Sequence, residues 1–455
     1  MPDEQSLVAN LYTLAENAIF QGDSLLTGNF VTFMNPGQFL SLNLSEDNPN
    51  DMAIQFNLTN SCLDASFLGK PLQSTIEGKY EEIFNFAALP VKVISPAQQQ
   101  ELARDATVVG KLQDAYSTYQ SAYNLANRLY VAARNNPKTS SDTLQMLSDS
   151  RDRAQQQWDI NGQRQAYENA YADFLYLQSG DPRAYFKTLD DRRKQFGPFL
   201  AKNGIYYETG FEPAIVDWQN AGWTHVTLDT KTMSSSSYSR STQWNAGFSV
   251  GWGLWSFGGQ GGQSSTYQHD HSEATELSAD FEYLLVAILR PWILTDVFTY
   301  RFWTWLKTHG FTYLSDGGNL SSSKPVRPIG DMPFYPSAMI VARKVKLSAN
   351  FTQTDNSVIT SHINAGANFA YGPFGISGSY SEDTKQVNVN AVYDGATISI
   401  DQPQVIAFTG PLTGLCPNPD PTLPWQSDAA FPQSMPYRYA RTLRDIRFYD
   451  YQNQR

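Results

Sequence analysis

The sequence predicts an α+β protein: a central antiparallel β region with two long duplicated hairpins, plus a long antiparallel helical hairpin. Three observations predict it. First, one strand-tip pattern occurs twice, 119 residues apart (364 − 245). The copies are Trp244-Asn-Ala-Gly-Phe-Ser-Val-Gly-Trp-Gly-Leu-Trp-Ser-Phe-Gly-Gly259 and Ile363-Asn-Ala-Gly-Ala-Asn-Phe-Ala-Tyr-Gly-Pro-Phe-Gly-Ile-Ser-Gly378. Second, each copy lies between polar stems and apolar runs such as Phe281–Leu289, Met339–Leu347 and Val405–Phe408. Third, residues 95–178 carry large apolar side chains mostly at three- and four-residue steps, the period of a buried helix face.

The N-terminal region, 1–94, reads as mixed α/β. A short helix is expected near Gln5–Phe20, strand-like pieces over Phe30–Leu44 and Met52–Leu58, and a helix over Leu72–Ala88. Residues 95–204 read as helical. Ser95 precedes Pro96, which suits a first helical position because its missing N–H has no intrahelical partner there. Leu102, Val109, Leu112, Tyr116, Tyr119 and Tyr123 form the apolar face. A break over Arg134–Ser141 precedes a second helix from Asp142 to about Leu177, with Asn161-Gly162 as its kink. Two such helices make a hairpin of about 50 Å, packed on the sheet or projecting toward a neighbour. Asp181-Pro182 starts a further helix toward Leu200. Residues 205–410 hold the duplicated hairpins, with an insert at 290–336. The 411–455 segment is Pro-rich and aromatic, an arm that wraps a neighbour or folds back.

The tips alternate strictly. Trp244, Ala246, Phe248, Val250, Trp252 and Leu254 are apolar, whereas Asn245, Gly247, Ser249, Gly251 and Gly253 are polar or small. In the second copy Ile363, Ala365, Ala367, Phe369 and Tyr371 alternate with Asn364, Gly366, Asn368, Ala370 and Gly372. Period two gives a strand with one apolar face. Turns are expected at Gly253-Leu254 and at Gly372-Pro373, where Gly frees φ and Pro fixes it. The return strands begin with Trp255 and Phe257, and with Phe374 and Ile376. The alternating length matches the roughly 9–11 residues of a membrane-spanning strand. It equally suits a half-buried hairpin on a sheet. Trp244, Phe248, Val250, Trp252, Trp255, Phe257, Phe369, Tyr371, Phe374 and Ile376 are the candidate membrane or assembly tips.

Composition narrows the function. With 33 basic and 44 acidic residues the net charge is −11, against nucleic acid as a partner and against simple attraction to anionic lipid. Two cysteines, Cys62 and Cys416, can pair but form no disulfide framework. The acidic start Met1-Pro-Asp-Glu-Gln lacks a secretory pattern, so synthesis in the cytoplasm is expected, with release or membrane association on assembly. The four Asn-x-Ser/Thr sequences, at Asn43, Asn57, Asn319 and Asn350, are then without consequence.

Catalytic motifs are thin. Gly247-Phe-Ser-Val-Gly251 has the letters of a nucleophile elbow, but an elbow joins a strand to a helix, and the second copy lacks the Ser. His269 and His271 share a strand face and are the weak metal candidates, lacking a third ligand. Gly258–Gln263 is not followed by the Lys-Ser/Thr of a phosphate loop. No enzyme, metal or cofactor is expected.

Two Ser/Thr/Gly-rich amphipathic segments, about 226–280 and 345–400, flank a central sheet. In this the chain resembles the membrane-attack-complex/perforin and cholesterol-dependent-cytolysin superfamily, whose two such segments become transmembrane hairpins. That family stores them as helices, whereas these read as strands, and neither a Tyr-Gly-Thr-His-type signature nor a Trp-rich C-terminal loop is present. The chain is also similar, around Arg290-Pro-Trp292 and Ala338–Arg343, to bacterial proteins without an assigned activity. The resemblance implies a homo-oligomeric, membrane-inserting β-pore former. The alternative is a structural protein that polymerises into tubes, filaments or a particle through its hairpins and C-terminal arm.

Overall fold

The computed structural model describes residues 30–45, 48–66, 69–90, 96–134, 139–163, 166–167, 170–171, 182–195, 198–229, 255–258, 268–270, 277–318, 326–365, 368–382 and 385–432. The helices are α1 (Pro49–Asn60), α2 (Ile76–Phe86), α3 (Pro96–Arg134), α4 (Ser141–Ile160), α5 (Pro182–Gln195) and α6 (Gln353–Ala365). The principal strands are β1 (Phe30–Phe39), β2 (Gly210–Glu212), β3 (Thr224–Asp229), β4 (Trp255–Gly258), β5 (Gln268–Asp270), β6 (Leu277–Leu289) and β7 (Ala338–Ala349). They continue with β8 (Asn368–Tyr371), β9 (Phe374–Glu382), β10 (Lys385–Asn390), β11 (Val392–Tyr393), β12 (Thr397–Ile400) and β13 (Gln404–Gly410). The α+β class is thus observed, with antiparallel sheets and a helical hairpin.

The chain forms two compact units, each assembled from three segments. Unit 1 is 1–76, 198–290 and 319–413; unit 2 is 77–197, 291–318 and 414–455. The linear regions expected from sequence, divided at 94, 204 and 410, do not coincide with these units.

Unit 1 is built on an antiparallel sheet ordered β1-β13-β7-β6-β2, with β3 also on β6 and β12 also on β7. Its central strands bury one face in each of two cores along different parts of their length. Ala279, Phe281 and Tyr283 of β6 face one core, and Leu284, Val286 and Ile288 face another with Trp218 and Phe334. Strand β7 changes phase midway: Ile340 and Ala342, then Val345 and Leu347, face the first core. A bulge between the Asp280 and Glu282 pairings causes the change, and Lys344 takes it up at φ 50°. Glu282 accepts from Arg343 Nε at 2.7 Å and from Lys344 Nζ at 3.0 Å, which pins the bulge.

A second sheet, ordered β5-β4-β8-β9-β10, packs on the first core. All of its strands come from the two segments between core strands.

In unit 2, Tyr80 and Ile83 of α2 are buried, and Tyr80 meets Trp292 and Phe298 edge to face. Helices α3 and α4 run antiparallel. Tyr130 contacts Arg151, Tyr123 stacks on Trp158, and Tyr116 stacks on Tyr167, so partners recede along α3 as the chain advances. The described C-terminal segment folds back on its own unit. Ala430 N–H donates to Trp305 O at 2.7 Å, and Ser315 pairs with Cys416. Both cysteines are buried.

Several local expectations are corrected. Met52–Leu58 is helical, because Asn48 caps the helix (Asn50 N–H to Oδ1, 2.9 Å) and Pro49 starts it. Strand Pro71–Thr75 precedes α2, so the helix expected over Leu72–Ala88 is shorter. Helix α4 ends at Ile160, where a Cβ on Gly162 would lie 2.6 Å from Trp158 O. Ile363–Ala365 is the end of α6, not a strand. Thr352 and Asp355 cap that helix reciprocally, Oγ1 accepting from Asp355 N–H at 3.2 Å and Oδ2 from Thr352 N–H at 3.1 Å. The Gln5–Phe20 helix and the tail beyond 432 lie outside the described residues.

Candidate functional site

Four neighbouring strands of the main sheet, β3-β6-β7-β12, end level with one another. Asp229 is opposite Ser278, Leu277 opposite Ala349, and Ser348 opposite Thr397. Two insertions leave from this one end. Residues 230–276 join β3 to β6, and residues 350–396 join β7 to β12. Each has 47 residues (276 − 229 and 396 − 349).

The described parts of both insertions fold back against the sheet. Trp255 of the first insertion is 1% exposed. It stands opposite Tyr371 of the second, with ring centroids 4.3 Å apart, and stacks on Phe369 at 5.1 Å. Its Nε1 donates to Asp355 Oδ1 at 3.1 Å. Phe374 packs on Phe281 at 5.3 Å, and Ile376 is buried in the same core. His362 stacks on Phe369, and burial pushes its imidazole below the usual value.

The expected hairpin in the second copy is present. Tyr371 pairs with Phe374 across Gly372-Pro373. Gly372 has φ 59°, which with the fixed negative φ of Pro373 suits a II′ turn.

The sequence-derived tips therefore divide. Trp255, Phe369, Tyr371, Phe374 and Ile376 pack inside the core rather than standing out as tips in this conformation. Phe257 pairs with Phe369 across β4 and β8. Trp244, Phe248, Val250, Trp252 and Gly253 lie outside the described residues, as does Gly247–Gly251. His269 pairs with Ser256, and His271 is outside the described residues. Among the described residues no cluster of three His, Cys, Asp or Glu could hold a metal. No described helix is long and apolar enough to cross a membrane.

Sequence reasoning missed Asp355, which caps α6 and binds Trp255. The Thr352-x-x-Asp355 spacing was its available signal. It also missed Gln404, a buried amide in β13 that no motif marks.

No family model, curated protein or solved structure matches this chain.

The strand registers carry more information than the individual contacts. Continued residue by residue from Asp229 and Ser278, the β3–β6 register would set Gly253 opposite Leu254, both outside the described residues. Propagating β7–β12 from Ser348 and Thr397 closes a hairpin between Gly372 and Pro373, where the turn is observed. Propagating β6–β7 from Leu277 and Ala349 by 22 residues (277 − 255 and 371 − 349) puts Trp255 opposite Tyr371. That pair is also observed.

Proposed function

We propose that this protein is a non-enzymatic, homo-oligomeric pore former that inserts both 47-residue insertions into a lipid bilayer as β-hairpins. The agreement of registers supports the reading best. Three independent pairings in the core sheet describe one continuous four-stranded extension, and the β8–β9 turn and the β4–β8 pairing already obey it.

The extension has one apolar face. Its register sets Trp252 opposite Trp255 and Val250 opposite Phe257. It sets Tyr371 opposite Phe374 and Phe369 opposite Ile376, while Trp255–Tyr371 and Phe257–Phe369 join the two hairpins. Positions two apart share a face, so all these side chains point the same way. The apolar run from Trp244 to Trp252 is long enough for a tilted strand to cross the hydrocarbon. Backbone groups in lipid must be paired, so the four strands of one copy need neighbouring copies to close a barrel. With a net charge of −11, insertion relies on the apolar face rather than on attraction to lipid headgroups.

In the described conformation Trp255, Phe369, Tyr371, Phe374 and Ile376 of that face are buried in the core. Each large side chain involved gains roughly 1.5–3 kcal/mol from burial. A bilayer offers equivalent burial, which makes the exchange feasible. Helix α6 lies within the second insertion, in keeping with the superfamily the sequence resembles, where such segments are stored as helices.

Negative-stain microscopy of the purified protein with and without liposomes, paired with dye release, tests the reading. Rings on lipid and released dye are expected. Tubes or particles without lipid, and no dye release, would overturn it in favour of a structural assembly.

A further inference from the structure

The turn of the second hairpin is held by a set of contacts that its own folding does not require. Strand β1 bulges between the Phe33–Ala407 and Gln38–Val405 pairs, so residues 34–37 stand opposite Ile406 alone. At the end of this bulge, Gly37 N–H donates to Pro373 O at 3.0 Å. From β13, the fully buried Gln404 side chain reads the next stretch of hairpin backbone as a strand would. Its Oε1 accepts from Gly375 N–H at 2.6 Å and its Nε2 donates to Gly375 O at 3.3 Å.

The fit leaves no spare room. A Cβ on Gly37 would lie 2.5 Å from Pro373 O and 2.7 Å from Gln404 Oε1. A Cβ on Gly375 would lie 3.0 Å from the Phe39 ring and 3.2 Å from Gly37 O. Gly37 and Phe39 belong to β1 and Gln404 to β13, so the base is the edge strand of the core sheet and its neighbour. The object held is the turn that the proposed function sends into the bilayer.

We infer that Gly37, Phe39 and Gln404 form a clasp that keeps the second hairpin folded back, and that opening this clasp gates its release. The inference rests on the pore-forming reading for its purpose but not for its structure. While the hairpin is docked, the Gln404 amide and the Gly375 backbone satisfy one another. Losing one partner leaves the other buried and unpaired, which is costly, so the clasp tends to stay closed as a unit. Once the hairpin departs, water replaces it on Gln404.

Amide hydrogen exchange on the full-length protein tests the clasp, with Gln404→Met as the first variant. Met keeps the volume and removes both hydrogen bonds. Gly37→Ala attacks the same contact from β1. Exchange across 368–382 should accelerate at least about tenfold in both variants, while β6 and β7 stay protected. Unchanged exchange across 368–382 would overturn the inference. If both variants fail to fold, exchange in the wild-type protein decides. The Gly37 amide, on β1, should then open together with β8 and β9, and Gly37 protection that persists after β8 and β9 open would overturn it. Dye release read in parallel separates the two ideas. Faster exchange with a shorter lag before release supports both, whereas faster exchange with no release from any form keeps the clasp and removes the pore.

Discussion

The two insertions have the same length and leave from the same end of the sheet, yet they are folded differently. The second keeps the register of its base, since Tyr371 pairs with Phe374 as the β7–β12 ladder dictates. A bulge shifts the pairing by one only beyond Ala370. The first does not keep its register. Trp255 pairs with Asp270, whereas the β3–β6 ladder would set Trp255 opposite residue 252. Extending the second insertion requires α6 to straighten and β10 to detach. Extending the first requires its hairpin to be re-paired about a new turn. A one-residue slip already reverses every side chain, so re-pairing breaks the whole ladder. In the proposed extension, the second insertion is the prepared one and the first sets the barrier.

The largest expected effect falls where the two insertions meet. Trp255→Ala removes the stacking on Phe369 and Tyr371 and leaves Asp355 Oδ1 without its indole donor. It should destabilise unit 1 by about 3–5 kcal/mol in denaturant titration. A loss below about 1 kcal/mol would mean that the contact does not join the insertions. For the same reason Trp255→Asp is a folding variant and cannot report on membrane insertion alone.

A smaller effect is expected at the second turn. Gly372→Ala places a side chain at φ 59° and should cost about 1–2 kcal/mol. Exchange should rise in β8 and β9 and less in β5, with β4 following only where it pairs with β8. Equal increases in both insertions would erase the contrast drawn between them.

Smaller still is the charged pin at the common base. Burial raises the Glu282 pKa, but its hydrogen bonds to Lys344 and Arg343 and their charges more than offset this, and the net shift is downward. A carboxylate depressed in the fold contributes stability above its unfolded value, and that contribution fades as pH falls through the folded value. Glu282→Gln should therefore cost about 1 kcal/mol at neutral pH and nothing at pH 2. An equal cost at both would assign Glu282 a packing role.

The smallest effect concerns the second insertion alone. His362 is held neutral by burial, so its contribution is present above the ordinary imidazole value and lost as pH falls through the depressed one. The melting temperature should drop between pH 7.5 and 5.5, and His362→Asn should flatten the part of that drop owed to this residue. An unaltered slope would clear His362 of any part in it.

The core was legible where one physical rule acted alone. Tyr283–Leu289 and Met339–Ala342 are apolar on both faces, and they lie in two central strands. Gly372-Pro373 allows few backbones, and the turn is there. Legibility failed where two rules competed. Met52, Ile54, Phe56 and Leu58 alternate as a strand would, but the Asn48 cap and Pro49 made a helix. Ile363 and Ala365 also alternate, and the Thr352–Asp355 cap prevailed. Trp255, Phe369, Tyr371, Phe374 and Ile376 read as one apolar face, but what that face packs against was not readable. The pattern that suits lipid suits a protein core equally, and only tertiary structure shows Trp255 and Tyr371 covered. The phase change at Lys344 was hidden as well, because a bulge leaves no mark in composition.

Two engineered disulfides distinguish hairpins that extend into the bilayer from hairpins that stay folded back. Ser256 opposite Ala370 is a pair that the extended sheet retains. Ser379 opposite Asn388 exists only in the folded-back conformation. Antiparallel partners lie close enough for a disulfide. Cys62 and Cys416 are buried, so the unsubstituted protein serves as the control. Oxidised S256C/A370C should release dye from liposomes like the control. Oxidised S379C/N388C should release none until a reductant is added. Blocked release in the first pair, or free release in the oxidised second, would contradict the proposed extension.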